Sequence, residues 1–216
     1  MRLKVDVHVH SVYSGPHLKT AGTIGEIIAA AEERGLDGVA ITDYGTVKGA
    51  LKARTKSEDV LVIPGCETRT DCGHVLALGV EQPLPLCIRF SDALKRIRNQ
   101  NGLAVLAHPY AGLPRKSVWM RNKPDAVEAV NALYPFFSYF TGKSRALAES
   151  LDLPQVGGSD AHYASNVGDA YTVVETDGFS EEAVLGGIRK GLTWAEGWPS
   201  GLVRRLRIGL GFIHAR

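Results

Sequence analysis

The stretch Leu3-Lys4-Val5-Asp6-Val7-His8-Val9-His10 decides how this sequence is interpreted. Apolar and polar residues alternate along it, which predicts a strand with one apolar face and one polar face. Residues two apart on a strand point to the same side, so His8 and His10 are expected together on the polar face. Imidazoles placed in this way suit a divalent metal ion, although two ordinary histidines on a solvated strand would give the same short pattern.

Composition is that of one globular unit. The chain has 216 residues, 44% hydrophobic and 22% charged, which predicts a single domain over 1–216 with its core at about 3–195. A net charge of +2 is too small to indicate a nucleic-acid binder. The three cysteines have no paired spacing, no apolar run reaches the ~18 residues of a membrane span, and no secretory signal is recognisable. We therefore expect a cytoplasmic protein without a membrane partner.

Predicted strands and helices alternate along the chain. Beyond the first strand, the strands are expected at 38–43, 60–67, 74–80, 103–108, 126–131, 154–160 and 170–175. The helices are expected at 23–35, 46–56, 91–101, 138–151 and 180–190. Such alternation is typical of a parallel sheet covered by helices, so the fold class is α/β.

Side chains with metal-ligand chemistry lie at the C-terminal ends of these strands or near them. In a closed parallel barrel those ends form one rim, where barrel enzymes build their sites. The residues expected to converge there are His8, His10, Glu67, His74, His108 and Asp160. Each residue alone has an ordinary explanation, but chance does not readily bring the whole set together from separate strands. The sequence therefore predicts a metal centre.

These stretches resemble the polymerase and histidinol phosphatase (PHP) family of metal-dependent phosphoesterases, over roughly residues 3 to 175. The matching segments read DVHVHS at 6–11, GVAITD at 38–43, IPGCE at 63–67, GHVLALG at 73–79, AHP at 107–109 and GGSDAH at 157–162. The resemblance implies a distorted TIM-like (β/α)7 barrel in a single domain, and hydrolysis of a phosphoester through a metal-activated hydroxide.

The resemblance also implies a ligand set. One metal would be held by His8, His10, Glu67 and Asp160, a second by Glu67, His74 and His108 with Glu67 bridging, and a third would include His162. The catalytic residues are accordingly Glu67, Asp160 and His162. Ligation rich in imidazole suits zinc, manganese or iron better than magnesium or calcium. We expect two divalent ions, with a third left open.

Two departures from the family pattern concern the third metal. Tyr44 follows Thr42-Asp43 where the family has a histidine, and His17 stands two residues beyond a missing aspartate. A phenol with an ordinary pKa near 10 is a poor ligand for zinc or manganese at neutral pH. Tyr44 is therefore expected to be a hydrogen-bonding wall of the site and His17 a loop residue near its mouth, with ligation by either left open.

Candidates for binding a phosphate are Arg69, just after Glu67, and Arg115 and Lys116, which are expected in a long loop after His108. Each of them alone is also an ordinary surface charge. The basic element at about 197–216 is expected to pack on the barrel with exposed arginines. A surface for nucleic acid or another partner is the alternative for that element.

The expected substrate is a phosphorylated small molecule or a nucleotide. Two other functions stay open: an amidohydrolase-type metal hydrolase, and a non-catalytic RNA-binding scaffold of the ribonuclease P protein type that resembles this fold. Glu67 in the bridging position disfavours the amidohydrolase, which usually has a carboxylated lysine there. The intact ligand set disfavours the scaffold and makes a nucleic-acid partner less expected than a small one.

Overall fold

The computed structural model describes residues 1–15, 21–57, 59–112 and 114–201. The strands are β1 (Arg2–Val9), β2 (Gly38–Ile41), β3 (Leu61–Thr70), β4 (Gly73–Leu78), β5 (Cys87–Ile88), β6 (Leu103–Ala107), β7 (Ala126–Asn131), β8 (Gln155–Gly158), β9 (Ala170–Glu175) and β10 (Thr193–Gly197). The helices are α1 (Ile24–Glu33), α2 (Lys48–Arg54), α3 (Phe90–Arg98), α4 (Lys116–Arg121), α5 (Phe137–Leu151) and α6 (Glu181–Arg189).

The strands of the described ranges form one sheet in the order β10-β9-β1-β2-β3-β4-β6-β7-β8, with β5 paired to β3. The sheet curls into a nearly closed barrel, because the chain after β8 returns to the end of β1. There the backbone N–H of His10 donates to the carbonyl of Ala161 at 3.0 Å, and the N–H of Ala161 donates to the carbonyl of His8 at 3.3 Å. The predicted α/β barrel is thus confirmed.

The prediction of a parallel sheet is wrong in two places. Strand β4 runs antiparallel to both β3 and β6, and β9 runs antiparallel to both β1 and β10. Only Asp71 and Cys72 separate β3 from β4, and so short a connection can join antiparallel strands but not parallel ones. This hairpin places the start of β4, and hence His74, at the same rim as the C-terminal ends of the parallel strands.

Helix α1 shows why the predicted helices form where they do. The backbone N–H of Glu26 donates to the Thr23 hydroxyl, and the Glu26 carboxylate accepts from the Thr23 backbone at 2.8 Å. This capping box satisfies two helix-end donors reciprocally. The face of α1 formed by Ile24, Ile27 and Ile28 is buried in the same apolar cluster as Val9, as the sequence spacing predicts.

A bulge in β1 overturns the predicted faces of the first strand. Val5 pairs with Gly38 and Asp6 with Val39, but the next partner of β2 is Val9, so β1 carries one extra residue. Leu3, Val5 and Val7 pack in one apolar cluster with Leu76 and Leu78, whereas Val9 packs with helix α1. A bulge reverses the side-chain alternation beyond it. His8 and His10 therefore face the barrel interior, on the same side as Leu3 and Val5.

Helix α6 closes the barrel end opposite the histidines. Its Val184, Leu185 and Ile188 are buried in one cluster with Leu3 and Leu103, which begin β1 and β6. The interior at this end is consequently filled by apolar side chains.

Three elements lie where the sequence predicted none. Strand β5 has only two residues, β10 is a short strand at the end of the sheet order, and α4 occupies part of the predicted loop after His108. His17 lies outside the described residues, as does the basic segment from 202 onward. Within the described ranges, none of the helices combines the length and apolar character that a membrane span requires.

Candidate metal centre

The rim brings together the six side chains expected there and, with them, His162. His8 and His10 come from the end of β1 and just beyond it, Glu67 from β3 and His74 from β4; His108 directly follows β6, while Asp160 and His162 follow β8. Their ligand atoms form overlapping groups that could each hold a metal ion: His8 with His10 and Glu67, Glu67 with His74 and His108, and His10 with Asp160 and His162.

The first group surrounds one oxygen of Glu67. The Nε2 atoms of His8 and His10 each lie 3.1 Å from Glu67 Oε2 and 3.2 Å from one another. Asp160 Oδ1 lies 3.5 Å from His8 Nε2 and 3.4 Å from His10 Nε2. Four ligand atoms from three parts of the chain thus face a common centre.

The second group surrounds the other oxygen of the same carboxylate. Glu67 Oε1 contacts Nδ1 of His74 and lies 3.3 Å from Nε2 of His108. Glu67 is fully buried, while His74 retains 27% side-chain exposure. The two oxygens of Glu67 therefore face two different histidine pairs, as a bridging carboxylate would.

A third group lies beside Tyr44. His162 Nε2 lies 3.3 Å from Asp160 Oδ1, and the ring of Tyr44 stacks on His10 with centroids 4.5 Å apart. Burial, together with the negative charges of Glu67 and Asp160, raises the pKa of Tyr44 well above its usual value. Without a bound metal ion the phenol is therefore neutral at pH 7, and its ring lies against His10 in the wall of the site.

The donor chemistry fits a cation. His8 Nδ1 lies 2.9 Å from Glu128 Oε1, and His10 Nδ1 lies 3.1 Å from the Ser14 hydroxyl, which itself donates to Asp43 at 2.6 Å. These partners assign the proton of each neutral imidazole to Nδ1 and leave lone pairs on both Nε2 atoms. Two lone pairs facing each other and two carboxylates need a positive charge between them.

The pKa shifts of His8 and His10 also indicate that this site requires positive charge. Burial opposes protonation of His8, but the charges of Asp160, Glu128 and Glu67 outweigh it and raise its pKa well above the usual value. Burial likewise opposes protonation of His10, yet hydrogen bonds to Asp160 and Glu67 raise its pKa to about 9. Without a metal, protons supply the charge that a divalent ion would otherwise provide.

The carboxylates respond in the opposite direction. Burial would raise the pKa of Glu67, but His8 and His74 hold it well below its usual range. Asp160 behaves alike because His8, His10 and His162 face it. Both carboxylates are thus ionised, acceptor-only ligands at neutral pH.

Sequence reasoning missed Glu128, a fully buried carboxylate in the middle of β7. It interrupts the otherwise apolar run AVEAV at 126–130, and a lone charge in a buried strand is the signal that could have revealed it. The role of Asp43 was also unforeseen. It accepts hydrogen bonds from the backbone and hydroxyl of Ser11 and from Ser14, and through Ser14 it supports His10.

The predicted phosphate-binding residues have different positions. Arg69 lies directly opposite His74 in the β3–β4 ladder, and directly opposed residues share a face of the sheet. Arg115 and Lys116 lie at the start of α4 and not in the predicted open loop. That helix is fixed against the β3–β4 turn, because Trp119 donates to the carbonyl of Cys72 at 2.8 Å. All three cations are exposed.

The barrel and its rim define the class of the protein as a metal-dependent hydrolase. The model of the PHP domain family matches residues 6–113, half of the chain, and a PHP-associated model matches residues 140–193. A protein of Methanocaldococcus jannaschii whose own function is uncharacterised is 30% identical over 118 residues, which cover 50% of this chain and 69% of the relative. The chain therefore belongs to the PHP family, and it is a metal-dependent phosphoesterase.

Solved structures share the fold at low identity. A two-domain protein from Bacteroides vulgatus, which contains a predicted PHP-like metal-dependent phosphoesterase, matches with a TM-score of 0.76 and 19% identity over 96% of this chain and 70% of its own. A lesion-specific endonuclease from Pyrococcus furiosus matches with a TM-score of 0.62 and 18% identity over 88% of this chain and 56% of its own. These likenesses support the barrel architecture.

Proposed function

We propose that this protein hydrolyses a phosphomonoester or a short nucleotide at a centre of two divalent ions bridged by Glu67. The observation that carries the proposal is that Oε1 and Oε2 of Glu67 face different histidine pairs. His8, His10 and Asp160 would complete the first position, and His74 and His108 the second. His162 would belong to a third position, whose occupancy the proposal leaves open.

Bound at these positions, the ions would supply Lewis-acid activation of water and stabilisation of the charge that develops on the phosphoryl oxygens. The protein holds the ligands in place before substrate arrives, because His8, His10, Glu67 and His162 are buried and fixed by neighbouring groups. Such preorganisation lowers the cost of reaching the transition state. Glu67, Asp160 and His162 are the residues to which we assign catalytic roles.

The phosphate would be oriented by cations at the mouth. Arg69 is our first choice, since it lies opposite His74 on the face of β3 that carries Glu67. A guanidinium binds a phosphate through two parallel hydrogen bonds. Arg115 and Lys116 would act from α4, on the other side of the β3–β4 turn. A histidine-rich ligand set favours zinc, manganese or iron as the metal.

Single-stranded nucleic acid is the second candidate substrate. Phe136 and Tyr139, at the start of α5 just after β7, are 71% and 59% exposed. Their rings surround Phe140, which also contacts Tyr110, two residues beyond His108. Exposed aromatic rings beside a phosphate site can stack on bases. A solved structure of endonuclease Q holds a duplex with an abasic lesion at its active site, which makes a nucleic-acid substrate worth testing here.

We further propose a cytoplasmic location.

Metal analysis followed by a substrate screen tests the proposal. Protein reconstituted anaerobically with zinc, manganese and iron should bind at least two ions per chain and hydrolyse one of a panel of sugar phosphates, nucleoside phosphates and short oligonucleotides. Fewer than two equivalents of metal would reject the two-ion centre. Tight RNA binding without bound metal would instead favour the scaffold function.

A further inference from the structure

Glu128 is a charged side chain in the barrel wall that the proposed reaction does not use directly. It is fully buried, as are its β7 neighbours Val127 and Ala129. A carboxylate in such a place is costly unless its hydrogen bonds are satisfied. The partners of Glu128 therefore show what its burial supports.

Both oxygens of Glu128 accept hydrogen bonds from the metal centre. Oε1 lies 2.9 Å from Nδ1 of His8, and Oε2 accepts the backbone N–H of His108 at 2.7 Å and the side-chain amide of Asn131 at 3.0 Å. Three donors require an acceptor-only group, which a carboxylate is and an amide is not. The same Asn131 nitrogen lies 3.3 Å from Asp160 Oδ2.

The local backbone is shaped around these contacts. His108 has a φ of +24°, a conformation that non-glycine residues seldom adopt and that the surrounding structure must hold in place. The bond from its N–H to Glu128 is such a restraint. Gly158 leaves room for the pair, because a Cβ there would fall 2.5 Å from His8 Cβ and 2.7 Å from Glu128 Oε1.

We propose that Glu128 is a positioning residue that serves both metal positions at once. Through Oε1 it keeps the proton of His8 on Nδ1, so that Nε2 is free to bind the first ion. Through Oε2 it fixes the backbone that presents His108 to the second ion. This inference rests on the two-ion centre proposed above. The corresponding support of His10 is weaker, because its Nδ1 meets the neutral hydroxyl of Ser14.

The variant Glu128→Gln tests this assignment. It preserves size but replaces one acceptor by a donor, so His8 and His108 can no longer both be satisfied. Asp169→Asn is a matched control: Asp169 is also buried, accepts from Asn166 and Ser200 and pairs with Arg34 at 3.2 Å, but these contacts lie outside the metal groups. Zinc affinities are measured for both positions by competition with chelators.

We expect Glu128→Gln to weaken both zinc affinities by about 10-fold to 100-fold, as loss of support behind a ligand commonly does. The zinc affinities of Asp169→Asn should stay within about twofold of the wild-type values. This change is far smaller than the one expected when a group that supports a metal ligand is lost. Affinities unchanged by Glu128→Gln, or weakened at one position alone, would overturn the shared role.

A measurement on the wild type keeps the test independent of variant folding. In the zinc-loaded protein, nitrogen-15 spectra of labelled histidine should place the His8 proton on Nδ1, and a proton on Nε2 would reject the assignment. Binding of fewer than two ions by the wild type would reject the proposed function and this inference with it. Two bound ions with no response to Glu128→Gln would reject the inference alone.

Discussion

The ring of Tyr44 stacks on the imidazole of His10, with centroids 4.5 Å apart and an interplanar angle of 29°. His10 also belongs to the group with Asp160 and His162, which is the third place where a metal could bind. Tyr44 therefore lies beside that group, at the position where the family pattern has a histidine. Among the described residues, the ligands of the third group are His10, Asp160 and His162, and a neutral phenol adds no charged ligand to them.

Replacing this phenol should change metal binding at the third position. Tyr44→His introduces an imidazole that is neutral and ligating near pH 7, so we expect higher metal occupancy next to His162 without loss of the other two ions. Anomalous diffraction from crystals soaked in zinc or manganese measures it, with Tyr44→Phe as the control that cannot ligate. A fully occupied third metal bound through Tyr44 in the wild type would show that the phenol had been misinterpreted.

Glu67 should matter far more to activity than Tyr44. Glu67→Gln removes the charge from a group that contacts both histidine pairs, and we expect a loss of about 100-fold or more in kcat/KM. Tyr44→Phe should cost much less, because the phenol is neutral. Steady-state assays on the best substrate of the screen make the comparison, with metal content measured for each variant. Equal losses would mean that Tyr44 takes part in catalysis.

The cysteines should differ in reactivity. Burial raises the pKa of Cys66 to about 11, so its thiol is protonated and unreactive near pH 8. Cys72 is also buried, whereas Cys87 is exposed. Native protein treated with iodoacetamide should take up one label per chain, at Cys87, and denatured protein should take up three. Mass spectrometry of peptides gives the sites. Labelling of native Cys66 would show that the interior opens on the labelling timescale.

The ligand residues were predictable because local pattern and strand order both point to them. The side-chain alternation of β1 was predicted up to Val7 and then failed, since the bulge before Val9 cannot be read from alternating residues. His8 and His10 reached the site all the same. The bulge changes the face of both histidines together, so they still point to the same side even though the predicted face was wrong.

Glu128 and the strand directions depend on contacts between distant parts of the chain. Glu128 meets His8 across 120 residues of sequence, so its role appears only once the barrel has closed. The antiparallel direction of β4 follows from the two-residue turn after β3, a signal that alternation of strands and helices does not contain. Helix α4 and strand β10 are short, and tertiary packing decides such elements more than their own sequence does.

Metal removal should make stability depend on pH in the alkaline range. In the metal-free protein, hydrogen bonds to Asp160 and Glu67 raise the pKa of His10 to about 9 from its ordinary value of 6.5. A raised histidine pKa stabilises the folded state fully below the unfolded value, and the contribution is lost as pH rises through about 9. The free energy of unfolding of chelator-treated protein should therefore fall between about pH 6.5 and pH 9, the window that those two values bracket. Zinc-loaded protein should not show this fall, since the ions replace the protons.

Urea titrations of both forms across that range measure the difference. A metal-free protein as stable at pH 9 as at pH 6.5 would show that protons do not hold these carboxylates together.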